Sequence, residues 1–124
     1  MQQITKNDLT AKELQMQAAL KGQQYALVVR EEGQAIAAAR LVGDGCMYWY
    51  LQDVIVLPQH QGKGLGKLLV KNMLDYIYAH TPKGNIATIG LFAAEGKEEF
   101  YQKLGFSLRP GAGAGAGMQQ KYFG

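Results

Sequence analysis

The chain of 124 residues predicts an α/β fold in which a mixed central sheet is flanked by helices. Three observations carry that expectation. Residues 24–31 and 34–42 alternate apolar and polar side chains around Glu32-Gly33, the pattern of a hairpin. Residues 65–79 change to helical spacing, with Leu65, Leu69, Met73 and Ile77 on one face and Leu68, Val70 and Leu74 beside them. Between these patterns the β-branched run Val54-Ile55-Val56 stops near Pro58, which cannot donate to a ladder, and a glycine turn leads into the helix. A further apolar run after that helix is consistent with a parallel crossover unit.

The elements follow in order. Thr10-Ala11-Lys12-Glu13 has capping-box spacing, and a helix to about Leu20 would turn Leu14, Ala18 and Met16 inward before Lys21-Gly22 ends it. The hairpin comes next. Gly43-Asp44-Gly45 is a second turn, and Met47 to Val56 reads as one long central strand, or two with a bend, carrying Tyr48, Trp49, Tyr50 and Leu51. The best-defined helix runs from about Leu65 to Ala79-His80. Ile86 to Phe92 reads as a buried strand parallel to the Val56 strand. Glu95 to Leu104 reads as a helix stopped by Gly105. Phe106 to Arg109 and Met118 to Phe123 read as short strands around Pro110 to Gly117, a glycine-alanine run expected to be a flexible loop.

Composition bounds the function. A hydrophobic content of 48% and a charged content of 19% are those of an ordinary globular protein, and residues 1–124 are expected to form a single domain with one modest core. No apolar run reaches membrane-spanning length, and Met1-Gln2-Gln3-Ile4-Thr5-Lys6 lacks the apolar stretch of a signal peptide, so a cytoplasmic protein with no membrane partner is expected. Cys46 is the single cysteine, which excludes an internal disulfide and a cysteine-type metal cluster. His60 and His80 lie far apart in the sequence, and no metal is expected. A net charge of +3 without a basic stripe argues against nucleic acid as a partner.

The turn Gln61-Gly62-Lys63-Gly64-Leu65-Gly66-Lys67 carries the functional signal. The first N–H groups of a helix have no partner inside it, and the dipole there favours negative charge. Lys63 and Lys67 add full positive charges, so the stretch suits a phosphate or pyrophosphate. It is not a P-loop, because Gly66-Lys67 is followed by Leu68 and Gln61 stands where the first glycine belongs. Nor does it have the G-x-G-x-x-G spacing of a dinucleotide fold. A tight turn without a ligand is the competing reading, although a bare turn needs neither three glycines nor two flanking lysines. What fits is Gln61-x-x-Gly64-x-Gly66 directly after a strand ending in Val-x-Pro. This resembles the acetyl-CoA pyrophosphate loop of the GNAT (Gcn5-related) N-acetyltransferase superfamily.

The resemblance extends from about Tyr48 to Phe106, while the first forty residues fit the topology without a specific motif and look like a trimmed N-terminal version. It implies the GNAT fold, with central parallel strands that splay apart to admit the pantetheine arm of acetyl-CoA (coenzyme A). The main chain of Val54, Ile55 and Val56 would pair with pantetheine amides, as an extended ligand satisfies an open strand edge. The N–H groups from Gly62 through Lys63, Gly64, Leu65 and Gly66 to Lys67 would hold the pyrophosphate, and Gln61 would stiffen the turn or touch a phosphate. Glu99-Phe100-Tyr101-Gln102-Lys103-Leu104-Gly105-Phe106 resembles the family segment whose tyrosine sits near the cofactor sulfur, so Tyr101 is the implied general acid; an ordinary packing role is its alternative. Many members carry an asparagine seven residues earlier, where this chain has Ala94, and that cofactor contact is absent or supplied otherwise.

The implied function is transfer of an acetyl group from acetyl-CoA to a primary amine of a small molecule, directly within a ternary complex. An alkyl amine must lose a proton first, which costs about 4.6 kcal/mol from a pKa of 10.4 to pH 7. Asp53, the acidic residue of the central strand, could bind the amine cation or relay its proton through water, because an unpaired buried carboxylate is costly and seldom accidental. A structural carboxylate that caps backbone or pairs with Arg40 is the alternative. His80 and Glu95 are weaker candidates, and His60 is expected to face solvent. Tyr48, Trp49, Tyr50 and the glycine-alanine run would wall the acceptor pocket. Segments from Gly90-Leu91-Phe92-Ala93-Ala94 to Gly117-Met118 resemble a subgroup of small bacterial members of unassigned substrate. A non-catalytic acyl-CoA-binding module and a protein lysine or N-terminal acetyltransferase stay open as alternatives, as does a homodimer.

Overall fold

The computed structural model of the protein describes residues 11–124, and the candidate N-cap Thr10 lies outside them. Two compact units divide the chain at Leu91/Phe92. In the first unit, α1 (Ala11–Lys21) precedes β1 (Tyr25–Glu31), β2 (Gln34–Gly43), β3 (Tyr48–Val56), α2 (Leu65–Ala79) and β4 (Thr88–Gly90). The sheet order is β1-β2-β3-β4. The first three strands are antiparallel neighbours, and β4 runs parallel to β3. This is the mixed sheet that the alternating and helical patterns predict.

The core lies between the sheet and α2. Helical spacing brings Leu69, Val70, Met73, Leu74 and Ile77 to one buried face, against Ala37, Ala39 and Leu41 of β2 and Trp49 and Leu51 of β3. Burying a side chain of this size fully contributes about 1.5–3 kcal/mol. At the C-terminal end of α2, Tyr76 stacks between Tyr25 and His80 at centroid separations of 4.1 Å each, and Trp49 meets it edge-on at 6.0 Å. α1 differs from expectation: Met16 and Ala18 are exposed, and Leu14 is half-buried.

Both inner strands carry an irregularity near the glycine turn. On β3, the partners Arg40↔Gln52 and Ala38↔Ile55 leave Asp53 and Val54 opposite the single residue Ala39. This is a β-bulge, and Asp53 takes the left-handed φ of +54° that such a bulge uses. The extra residue changes the phase of the strand. Trp49 and Leu51 face α2 before it, and Val56, opposite buried Ala37, faces the same side after it. On β2 a shift between Val29/Ala37 and Arg30/Ala35 leaves Ile36 without an opposite partner, so that Ile36 and Ala37 are both buried.

β4 is shorter than the expected strand over residues 86–92. It pairs only Thr88, Ile89 and Gly90 with Tyr48, Trp49 and Tyr50, and Ile86 is 82% exposed in the preceding turn. The second unit holds α3 (Glu98–Gln102), shorter than the expected helix over 95–104 because Gly96 adopts a φ of +84° that no helix continues through. Gly105 does end the turn after α3 with a φ of +99°. Residues 106–109 and 118–123 form no strand, since no ladder partner lies beside them among the described residues. The glycine-alanine run is held as a turn. Gly111 and Ala114 exchange backbone hydrogen bonds at 3.0 Å, and Arg109 Nε donates to the Gly115 carbonyl at 2.6 Å.

Candidate active site

β3 leaves β4 after Tyr50, so from Leu51 to Val56 its outer edge carries no strand among the described residues. Leu57 N–H donates to Ile36 O at 2.9 Å, back toward β2. Antiparallel ladders alternate in direction, so the N–H and C=O of Val56 point to the open edge, and those of Ile55 point to β2. Of the expected run, Val54 and Val56 therefore offer main-chain groups at the edge, and Ile55 does not. The Val56 carbonyl is already occupied: Gln61 Nε2 donates to it at 3.1 Å. Gln61 thus ties the turn back to the end of β3.

The chain passes through a single 3-10 turn, Pro58–His60, and reaches Gly64, which is the N-cap of α2 with a φ of +83°. A left-handed residue here bends the chain so that the backbone amides converge at the helix start, and glycine adopts it without strain. No side chain caps the helix. Among the described residues, no acceptor meets any N–H from Gly62 to Lys67; Leu68 N–H is the first to find one, on Gly64 O at 3.0 Å. A Cβ added at Gly62 or Gly64 would meet open space, which leaves room for a ligand to approach the backbone. Open strand edge and unaccepted amides lie one after the other along the chain, and together they suit an extended amide-bearing arm ending in a diphosphate.

Asp53 projects from the bulge and is half-exposed, at 48% of its side-chain surface, so the expectation of a carboxylate buried in the sheet is corrected. Its Oδ2 accepts from Arg40 Nε at 2.9 Å, the pairing considered from the sequence, and its Oδ1 accepts from Gln52 Nε2 at 3.2 Å. Trp49 is buried in the core against Tyr76 and cannot wall a pocket; Tyr48 and Tyr50 alternate to the other face of the strand. His80 is at the far end of α2, about 22 Å along a helix of this length from the glycine turn. Its Nδ1–H donates to the Tyr76 carbonyl at 2.8 Å.

His60 departs from expectation. Only 17% of its side chain is exposed, with Nδ1 3.5 Å from Glu31 Oε2 and 3.5 Å from Lys63 Nζ. The signal that could have found it was its place two residues after Pro58, where a single turn folds the ring back toward the β1–β2 hairpin. Within the second unit, Tyr101 meets Phe100 and Phe106 edge-on at 4.9 and 5.9 Å. Its partial burial pushes the phenol above its ordinary value of 10.0, which keeps the proton on at neutral pH. Ala94, Glu95 and the 109–117 turn belong to this unit as well. At the β2–β3 turn, Asp44 Oδ1 accepts from the N–H groups of Cys46, Met47 and Tyr48 at 2.8, 2.7 and 3.1 Å, and these bonds hold its carboxyl below the usual carboxylate range.

No helix among the described residues is long and apolar enough to cross a membrane. Comparison with known proteins places the chain among acetyltransferases of one family. The chain is 36% identical over 81 residues to GCN5-related N-acetyltransferase 2, chloroplastic, of Arabidopsis thaliana, which covers 65% of this chain and 30% of that one. It is 35% identical over 80 residues to serotonin N-acetyltransferase 2, chloroplastic, of rice (Oryza sativa subsp. japonica), covering 64% of this chain and 38% of that one. It therefore spans about a third of the length of these curated relatives. A solved GNAT family acetyltransferase from Streptococcus pneumoniae superposes with a TM-score of 0.74 at 25% identity, over 88% of this chain and 79% of that one. The sequence model of the acetyltransferase (GNAT) domain matches residues 22–108, across both compact units, and the chain belongs to that family.

Proposed function

We propose that residues 1–124 act as one acetyl-CoA-dependent N-acetyltransferase domain that moves an acetyl group directly to a primary amine of a small molecule within a ternary complex. The single observation that carries the cofactor part is the unaccepted run of N–H groups from Gly62 to Lys67, following the open edge at Val54 and Val56. The span of the family match over both compact units supports treating them as one domain. Acetyl-CoA would lie with its pantetheine amides along Val54 and Val56 and its pyrophosphate on the amides of Gly62, Lys63, Gly64, Leu65, Gly66 and Lys67. Helix-end contacts of this type contribute about 0.3–2 kcal/mol each, so the whole run is needed.

The cofactor supplies the activated acetyl group as a thioester. In this reading Tyr101, protonated at neutral pH, donates its proton to the departing thiolate. Asp53 holds the acceptor's ammonium or relays its proton through water, and Arg40 fixes the direction of that carboxylate. A small-amine acceptor follows the relative named for serotonin acetylation, while another relative, of Glycine max, is named a histone acetyltransferase and keeps a protein acceptor as the alternative. The unpaired, exposed Cys46 supports a reducing compartment, and the cytoplasm is the location we propose.

Thiol release from acetyl-CoA across a panel of small amines and lysine peptides tests the reading. Release with a small amine and not with peptides is the expected result. Tight coenzyme A binding with no release for any amine would identify a binding module instead, and release with peptides alone would assign a protein acceptor.

A further inference from the structure

One nitrogen in the approach to the glycine turn faces two charged partners of opposite sign. His60 Nδ1 lies 3.5 Å from Glu31 Oε2 and 3.5 Å from Lys63 Nζ. A lysine ammonium only donates and a carboxylate only accepts, so one imidazole nitrogen cannot satisfy both. Without a proton, Nδ1 accepts from Lys63 and turns its lone pair toward a carboxylate that also has only lone pairs to offer. With a proton, it donates to Glu31 and repels Lys63. Glu31 from β1 and Lys63 from the turn are the charged side chains that meet the ring among the described residues.

We propose that His60 is a positioning residue that couples cofactor binding to proton uptake. In the free protein its bare Nδ1 holds the Lys63 ammonium to one side of the turn. A diphosphate seated on the amides of Gly62 to Lys67 draws Lys63 toward itself. As the Lys63 hydrogen bond to Nδ1 is released, Nδ1 takes a proton from a buffer acid, whose bond to hydrogen breaks as the N–H bond forms and whose conjugate base stays in solution, and the imidazolium closes onto Glu31. No other covalent bond changes, and the added positive charge partly offsets the negative charge of the arriving anion. Histidine is the side chain suited to this exchange, since imidazole changes charge between about pH 5 and 8. Glu31 gains a role that its position on a different strand does not suggest: it stabilises the proton that binding brings in. This inference rests on the cofactor reading above and adds to it a residue outside the family's loop pattern.

Titration of the full chain with coenzyme A by calorimetry at pH 7, in buffers of different ionisation enthalpy, counts the protons. The wild type is expected to take up a measurable fraction of a proton per ligand beyond the ligand's own change, at most about one because a single nitrogen changes state. His60→Gln is expected to retain binding and lose that excess. Glu31→Gln, which leaves the turn untouched, is expected to lose at least about half of it, because the imidazolium loses its acceptor. Equal proton counts in the wild type and both variants would overturn the inference and leave the cofactor site standing. Absence of both heat and amide protection from Gly62 to Lys67 in the wild type would overturn the cofactor site and the inference with it.

Discussion

The side-chain amide of Gln61 donates to the main-chain carbonyl of Val56 at 3.1 Å, closing the one acceptor at the end of the open edge of β3. A ligand lying along this edge finds the Val56 N–H free and the Val56 carbonyl engaged. Replacement Gln61→Glu sets a carboxylate against that carbonyl and adds negative charge beside the amides of the turn. Coenzyme A affinity is expected to fall at least about tenfold, in line with about 1–3 kcal/mol for a lost or reversed hydrogen bond. Gln61→Arg keeps a donor and should stay within about threefold of the wild type. Calorimetry decides, and unchanged affinity for Gln61→Glu would remove Gln61 from the site.

Gly64 combines a φ of +83° with empty space at the position of a Cβ. The free protein should therefore tolerate Gly64→Val at a cost of roughly 1–2 kcal/mol from left-handed strain. The added side chain would stand where the diphosphate must approach, and coenzyme A binding should be lost. A melting curve together with a binding isotherm separates the two effects. A folded variant that binds as the wild type does would show that the anion sits elsewhere.

For Tyr101, removal of the hydroxyl in Tyr101→Phe should leave cofactor affinity within about twofold and slow turnover by about 100-fold, the lower range for general acid catalysis. Burial raises the phenol's pKa, so the fold favours the protonated form. This contribution is fully present below pH 10.0, the unfolded value, and is lost as pH rises through the folded one. Alkaline melting curves of the wild type should fall more steeply than those of Tyr101→Phe. Equal turnover would leave Tyr101 as a packing residue.

Asp44 answers to acid instead. Three backbone N–H groups depress its carboxyl, so the stability it contributes is present above 3.8 and lost as pH falls through the folded value. Asp44→Asn keeps an acceptor oxygen and loses the charge. Its melting temperature should depend less on pH between 5 and 2 than that of the wild type, and parallel profiles would dissociate Asp44 from acid unfolding.

Much of the first unit was legible because its signals are local. The helical spacing from Leu65 to Ala79 and the glycine punctuation before it gave the bounds of α2 and the turn. Other features depend on partners that no local pattern records. The bulge at Asp53 arises because two residues of β3 meet Ala39, and only a cross-strand register reveals that count. Trp49 belongs to the core because Tyr76, in another element, meets it there. Likewise His60 meets Glu31 across a hairpin. The segments at 106–109 and 118–123 have residues suited to strands and no ladder to join among the described residues, because pairing is a property of two segments. The turn at 109–117 looked featureless because its order comes from Arg109 reaching a carbonyl, which composition does not encode.

The extra residue in β3 also bears on how this chain can vary. Exchanging Asp53 for another amino acid alters one side chain and keeps the bulge, whereas excising it would set Val54, Ile55 and Val56 opposite Ala39, Ala38 and Ala37 in an even ladder, each on the face it already holds. Length is therefore more negotiable at this point than elsewhere in the sheet: a library of single deletions should retain a folded core here and lose it at Leu41, where the loss of one residue puts half of β2 out of phase with its neighbours.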